Sequence, residues 1–416
     1  MHKKRSGVTR LFALIGLVVL TGAIAVGCSE DEEPEALKIG FLADFSGPLA
    51  EFGPAIQTGV ELAIKHVNDA GGIHGLPVEL VVGDDKTDQT AAVEEARRLI
   101  EVEGVSAIVG PLASGVTVAV AESVAAAAEV VVISPSATSP SVTAANDDGF
   151  LFRSTTSDAA QGVILADLAT QEGIDNIGIV YLNDAYGQGL ADAFEGSFGG
   201  TVTKASFEDG AASYLAELQA AAAGGAETLL AIGYPTQASV FLRESIENDV
   251  FANYLFVDGT KSLDLVTEFG DAIEGAKGTA PTGGPETPAR QAWDAAYTAE
   301  VGEIPNLPFI REAYDAVIAI ALAAELAGSN DGAEIRDALT EVGAPGGDQF
   351  LPGAEGVAAA LDAVRDGDDV DFEGAATTLN WNEDGDVTTG YIGIWQYSAG
   401  AIEELEEVPF DLSAAD

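Results

Sequence analysis

Residues that carry out chemistry are scarce in this chain. Among 416 residues there is one cysteine, Cys28, one methionine and three histidines. A single cysteine excludes a disulfide within the chain and any cysteine-rich metal site. His66 and His74 are the only histidines beyond the N-terminal segment, so general acid–base catalysis lacks its commonest side chain. Both are expected at the surface near a turn rather than as ligands. Positive charge is also sparse: 18 Lys and Arg stand against 68 Asp and Glu, for a net charge of −50. Nucleic acid is therefore excluded as a partner, because phosphate binding needs clustered cations. No Gly-x-Ser-x-Gly elbow is present. The Gly-x-Gly of YGQGLADAF (186–194) lacks a third glycine and reads as a tight strand-to-helix turn. NEDGD (382–386) lacks the spacing and distal Glu of a calcium loop and reads as a hairpin turn. No metal and no cofactor is expected, and the chain is not expected to be an enzyme.

Hydrophobic residues make up 47% of the chain, and the acidity is spread along it rather than gathered in a tail. Recurrent apolar runs argue against acidic disorder and for a packed core under a solvated surface. At the N-terminus, Lys3, Lys4, Arg5 and Arg10 precede an apolar run, 11–26, that ends in Ala25-Val26-Gly27-Cys28. Positive region, short apolar run and small residues are the layout of a secretory signal. The run resembles a bacterial lipobox, with Ala25 where Leu is commonest. It predicts a lipoprotein signal peptide over 1–27, lipidation of Cys28 and an acidic tether over 28–36. No second apolar run reaches transmembrane length.

From residue 37, short β-branched runs alternate with alanine-rich helical stretches. Strands are predicted at 37–43, 77–83, 106–110 and 129–134, and helices at 54–69, 89–102 and 115–128, with Asp88 an N-cap. The order β-α-β-α predicts a parallel sheet covered on both faces. The pattern restarts at 175–182, a strand, followed by a helix at 187–198. Strands at 201–207, 227–232 and 254–257 then alternate with helices near 211–222 and 236–248. Helices follow at 286–301, 309–327, 333–342 and 354–366. The chain closes with two strands, 377–381 and 388–397, around the turn at Asp384-Gly385. Two α/β lobes fit this better than one large sheet.

Small hydroxyl residues cluster after predicted strands. Ser114 sits at a helix start in GPLASGVTVAVA (110–121), and Ser134, Ser136, Thr138 and Ser139 follow a buried strand in ISPSATSPSVT (133–143). Ligands of open α/β sheets lie beyond the carboxyl ends of strands. Helix N-termini there offer free N–H groups to an anion, and a hydroxyl adds a donor. Helix capping explains the same residues equally well. In the second half Tyr186, Tyr234 and Asp258 follow strands in the same way. An acid and two aromatics suit an ammonium group beside an apolar side chain.

Taken in order, IGFLADFSGPLAEFG, GGIHGLPVELVVGDDKTD, GPLASGVT, ISPSATSP, NDAYGQGLADAF and VDGTKS resemble the leucine/isoleucine/valine-binding proteins, type I periplasmic binding proteins of ABC importers. The likeness spans 37–397. It implies two Rossmann-like α/β lobes with parallel sheets, joined by a three-strand hinge with crossings near 153–158, 275–282 and 373–378. Lobe 1 would comprise 37–155 and 279–373, lobe 2 156–278 and 374–400, and 401–416 a C-terminal tail. The likeness also implies site roles. Ser114 and Thr138 would hold a ligand carboxylate. The carbonyl of Ser136 and the carboxylate of Asp258 would take its ammonium group. Phe52, Tyr186, Tyr234 and Phe309 would wall the side-chain pocket. Asp258 stands where leucine-binding members carry Glu, Ser136 where they carry Ala and Phe52 where they carry Tyr. Lys261 and Arg311 fall near expected pocket positions and could admit a polar or acidic side chain.

The function expected from the likeness is an extracytoplasmic substrate-binding protein that captures a branched-chain or similar amino acid for an ABC importer by hinge closure. Its partners would be the small-molecule ligand, ABC permease subunits and, through a lipid on Cys28, the membrane; a monomer is expected. A ligand-sensing module, or a binder of a small amide or carboxylate, is the alternative. A secreted hydrolase is disfavoured, since no histidine lies near Ser114 or Ser134 in sequence.

Overall fold

The computed structural model describes residues 35–413; the expected signal peptide, Cys28 and most of the acidic tether lie outside the described residues. The first half alternates β1 (Lys38–Ala43), α1 (Phe52–Asp69), β2 (Glu79–Asp84), α2 (Gln89–Arg97), β3 (Ala107–Val109), α3 (Ser114–Val120), α4 (Ala126–Ala128), β4 (Val131–Ser134), α5 (Pro140–Thr143) and β5 (Leu151–Arg153). Asp88 caps α2 by accepting the Ala91 N–H. The five strands form a wholly parallel sheet in the order β2-β1-β3-β4-β5. β3 and β4 are buried throughout, which is why they read as unbroken apolar runs instead of alternating.

The second half contributes α6 (Asp158–Gln171), β6 (Asn176–Leu182), α7 (Ala185–Ser197), β7 (Thr201–Phe207), α8 (Leu215–Ala221), β8 (Thr228–Ile232), α9 (Pro235–Glu247), β9 (Asn253–Phe256), α10 (Leu263–Phe269) and β10 (Lys277–Thr282). Then come α11 (Pro288–Glu300), α12 (Ile310–Ala327), α13 (Gly332–Leu339), β11 (Asp348–Phe350), α14 (Ala354–Asp366), β12 (Val370–Phe372), β13 (Thr389–Ser398) and β14 (Ala401–Asp411). The second sheet runs β14-β13-β10-β9-β8-β6-β7, and β11 pairs with β12 apart from both sheets. The architecture is thus the expected pair of α/β lobes. α12 lies against α1, α13, α14, β3 and β4, so the C-terminal helices return to the first sheet. Its Ala, Ile and Leu side chains permit burial on nearly every side.

Several boundaries differ from expectation. β10 belongs wholly to the second sheet, so residues 279–282 are not in lobe 1 and that crossing follows Thr282. Residues 377–381 form no strand; Trp381 and Val387 make one isolated bridge, and β13 pairs with β10 and β14 instead. The segment carrying that bridge leans on β5. The Trp381 indole donates to the Arg153 carbonyl at 2.8 Å, and the Arg153 N–H donates to the Gly385 carbonyl at 3.0 Å. The chain therefore enters the second sheet at Thr389, where β13 begins, and not at 373–378. The expected tail over 401–416 contains β14, an antiparallel edge strand. Its glutamates hid it from a hydrophobic pattern, and charge is what keeps an exposed edge from pairing with other chains. His66 is fully buried rather than superficial: Nδ1 lies 2.9 Å from the Tyr314 hydroxyl and Nε2 3.0 Å from Glu300. It sits on the face of α1 that meets α12, so the helix carries it inward.

Candidate functional site

Between the carboxyl ends of the two sheets lies a tight cleft with a free volume of about 20 Å³. It brings together seven of the eight expected side chains: Phe52, Ser114, Ser136, Tyr186, Tyr234, Asp258 and Phe309. Leu49, Ile56 and Leu112 complete its apolar lining. No Lys, Arg or His is among the lining residues.

On the first lobe, the buried Asp44 at the end of β1 shapes the loop before α1. Its carboxylate accepts the N–H groups of Ser46 at 2.9 Å and Leu49 at 2.8 Å. That turn sets Leu49 and Phe52 over the cleft. Gly53 is required there, because a Cβ would come within 1.8 Å of the Asp44 carbonyl. The loops after β3 and β4 are tied by hydroxyls. Ser134 Oγ donates to the Pro111 carbonyl at 2.6 Å and accepts the Ala137 N–H at 3.0 Å. Ser136 Oγ donates to the Leu112 carbonyl at 2.9 Å. Ser114 Oγ accepts the Ser139 N–H at 3.2 Å, which leaves its own proton to donate elsewhere.

Thr138 is the expected residue that does not line the cleft. Its Oγ1 donates to Asp158 Oδ2 at 3.0 Å, and its carbonyl accepts the Asp158 N–H at 2.7 Å. With Asp158 ionised, that bond uses the hydroxyl proton.

On the second lobe, the rings of Tyr186 and Tyr234 stack at 5.4 Å and 9°. The Tyr186 hydroxyl donates to Asp258 Oδ1 at 2.9 Å and accepts the Gly259 N–H at 3.1 Å. A Cβ at Gly259 would meet the Gly233 carbonyl at 2.5 Å, so the loop passes only as glycine. Gln161 Nε2 also donates to Asp258 Oδ1, at 2.8 Å. Both of these side-chain bonds fall on Oδ1, and the backbone N–H groups of Asp258 and Gly259 also favour the charged carboxylate.

Burial pushes the Asp258 carboxyl up to about 6, against the bonds from Gln161 and Tyr186. Asp158, fully buried, is held well above its usual value by burial and by the neighbouring Asp258. Its Oδ1 has no protein partner among the described residues. Burial also lifts Asp184, the N-cap of α7, to about 6. Sequence reasoning missed Asp158 and Gln161. Asp158 follows the N-cap Ser157, and acids in a first helical turn are too common to signal a site.

Lys261 and Arg311 do not enter the cleft. Lys261 pairs with Glu404 at 2.5 Å; Arg311 pairs with Asp294 at 2.6 Å and covers the Trp293 ring at 4.7 Å. Both line a neighbouring polar cavity, to which Phe309 also contributes. Phe309 has φ 75°, a left-handed conformation rare for an aromatic residue and costing about 1–3 kcal/mol. The two walls touch at the rim. Ser139 Oγ donates to the Ala185 carbonyl at 2.7 Å, and the Thr236 hydroxyl to the Pro48 carbonyl at 3.3 Å. The form described is closed.

A family model described as periplasmic binding protein matches residues 36–368. Leu/Ile/Val-binding protein homolog 1 of Brucella melitensis is 30% identical over 341 residues, covering 78% of this chain and 87% of that protein. The chemotactic signal transduction system substrate-binding protein BasB of Halobacterium salinarum is 28% identical over 381 residues, covering 89% of each. Among solved structures, a branched-chain amino acid transporter substrate-binding protein from Streptococcus pneumoniae, in complex with isoleucine, is 26% identical with a TM-score of 0.73. The match covers 90% of this chain and 100% of that one.

Proposed function

The chain belongs to the periplasmic binding protein family, and from that premise we propose that it is the extracytoplasmic substrate-binding protein of an ABC importer, capturing an amino acid of the branched-chain type between its lobes. The observation that carries this reading is Asp258, a buried acid in an aromatic and aliphatic cleft that Ser114 also lines. An ammonium group meets the acid, a carboxylate meets the Ser114 hydroxyl, and an apolar side chain meets Leu49, Phe52, Leu112 and Phe309. The absence of a lining base suits a ligand whose own charges cancel. No nucleophile–base pair is assembled in the cleft: His66 bonds to Tyr314 and Glu300, and His74 lies 3.7 Å from Glu325.

A thermal-shift screen of leucine, isoleucine, valine, short amides and small carboxylates tests the ligand class. A ligand at 100 times its dissociation constant stabilises by about 2.7 kcal/mol. Stabilisation by amides or carboxylates but by no α-amino acid overturns the amino-acid reading.

Closure follows from a site shared by two lobes, because binding energy then favours the closed state. Small-angle scattering with saturating ligand should give a smaller radius of gyration than without; an unchanged radius counts against hinge closure.

The exported protein is proposed to be a monomer held at the membrane by a lipid on Cys28, with residues 29–36 as its tether. The basic region, apolar run and small residues before Cys28 support this. Mass spectrometry of membrane fractions should find diacylglycerol on an N-terminal Cys28, and Cys28→Ala should abolish it. An unmodified Cys28 inside an intact N-terminus ends the idea.

The likeness to BasB supports a second output, delivery of the same closed complex to a membrane receptor. Permease and ATPase genes beside the gene favour import; a receptor gene favours sensing.

A further inference from the structure

Glu51 lies at the mouth of the cleft, one residue before the wall residue Phe52, and reaches across to the opposite lobe. Its carboxylate accepts the Ser262 hydroxyl at 2.5 Å, the Leu263 N–H at 2.8 Å and the Asp264 N–H at 3.3 Å. The receiving loop is itself held from behind. The Ser262 N–H donates to the Tyr397 hydroxyl at 3.2 Å, and that hydroxyl donates to the Thr260 carbonyl at 2.5 Å. Residues 258–262 therefore present two things from one segment: Asp258 toward the cleft and Ser262 toward Glu51. Lys261, in the same segment, points to Glu404, so the contact is charge to dipole and not an ion pair. Burial raises the Glu51 carboxyl above its usual value, against these donors, as expected of an acid enclosed by closure.

We propose that Glu51 is an interlobe latch, a positioning residue that fixes the open–closed balance without touching the ligand. The proposal rests on the hinge-closure reading above. Opening parts Glu51 from Ser262 and returns both to water, so the three bonds exist only in the closed form. A bond present only in the binding-competent state multiplies the affinity for every ligand by one factor. Asp258 differs, because its effect depends on what the ligand carries.

Calorimetry with L-isoleucine and L-leucine, together with hydrogen exchange at the Leu263 and Asp264 amides, tests the assignment. Losing several bonds to a charged acceptor at a half-buried rim should weaken both ligands about tenfold in Glu51→Ala and about threefold in Glu51→Gln. The isoleucine-to-leucine ratio should stay unchanged. Exchange at both amides should speed up, and adding Ser262→Ala to Glu51→Ala should cost less than Ser262→Ala alone. Wild-type affinity with unchanged exchange in Glu51→Ala overturns the latch; so does a changed ratio, which would place Glu51 against the ligand. Glu51→Gln keeps the side-chain size should the alanine variant unfold. If neither amino acid binds wild type, the ligand reading fails by itself. The latch is then judged on the unliganded protein: faster exchange and a larger radius of gyration in Glu51→Gln support it, and identical values overturn it.

Discussion

Asp258→Asn is expected to weaken binding of an α-amino acid by one to two decades in calorimetry. The substitution keeps the volume and an oxygen for Tyr186 and Gln161 but replaces the other carboxylate oxygen with an amide nitrogen and removes the charge. A hydrogen bond to a buried charge contributes about 1.5–3 kcal/mol, or roughly ten- to a hundredfold in affinity. A pH dependence accompanies it. Burial holds the Asp258 carboxyl near 6, with Asp158, Asp184 and the two stacked tyrosines around it. Below that pH the ammonium group must displace a proton, so affinity should fall as pH drops through about 6, by up to about tenfold per unit. Asp258→Asn should flatten this dependence. Thr138→Val should weaken binding less, because it removes one neutral bond to Asp158. A deaminated analogue that binds wild type as well as the amino acid does, with no pH dependence near 6, would sink the role given to Asp258.

A second large effect is expected on stability, from Arg153→Met at the first crossing. Arg153 is fully buried, and Nη1 donates to the carbonyls of Ala137, Thr138 and Ser139 at 3.3, 3.1 and 3.0 Å. Nη2 donates to the Thr143 hydroxyl at 2.8 Å. Nε stands 2.6 Å from Asp386 Oδ1, an ion pair by distance but poorly aligned as a hydrogen bond. Met fills much of the space but strands the carbonyls and leaves Asp386 charged and nearly buried. Breaking one side of a buried pair costs about 3–5 kcal/mol. The denaturant midpoint should fall accordingly, and Arg153→Met with Asp386→Asn should recover part of the loss. Ligand affinity should fall as well, since the carbonyls that Arg153 holds belong to the loop carrying Ser136 and Thr138. A midpoint within error of wild type would show that Arg153 is replaceable.

Asp386 also illustrates what a sequence conceals. In NEDGD it reads as a turn residue, and it is one: the Asn382 N–H donates to its carbonyl at 3.0 Å. Nothing in the pentapeptide says that its carboxylate meets an arginine more than 200 residues earlier. Lys261 and Arg311 mislead for the same reason. Their positions near the cleft were legible, but the acids that turn them away, Glu404 and Asp294, were not.

By itself the sequence determined the alternation of strands and helices, the restart near residue 175 and the strand ends at which the cleft residues stand. Those follow from local periodicity and from the rule that open α/β sheets bind at their carboxyl edges. The family likeness added which residues to expect around a ligand. Tertiary structure alone decided which donor meets which acceptor. Thr138 spends its proton on Asp158, His66 turns inward to Tyr314, and Glu51 bonds to Ser262 across 211 residues of chain. Patterning records only whether a position is apolar. A hydrogen bond depends on direction to within a fraction of an ångström, and that is set only when distant segments pack.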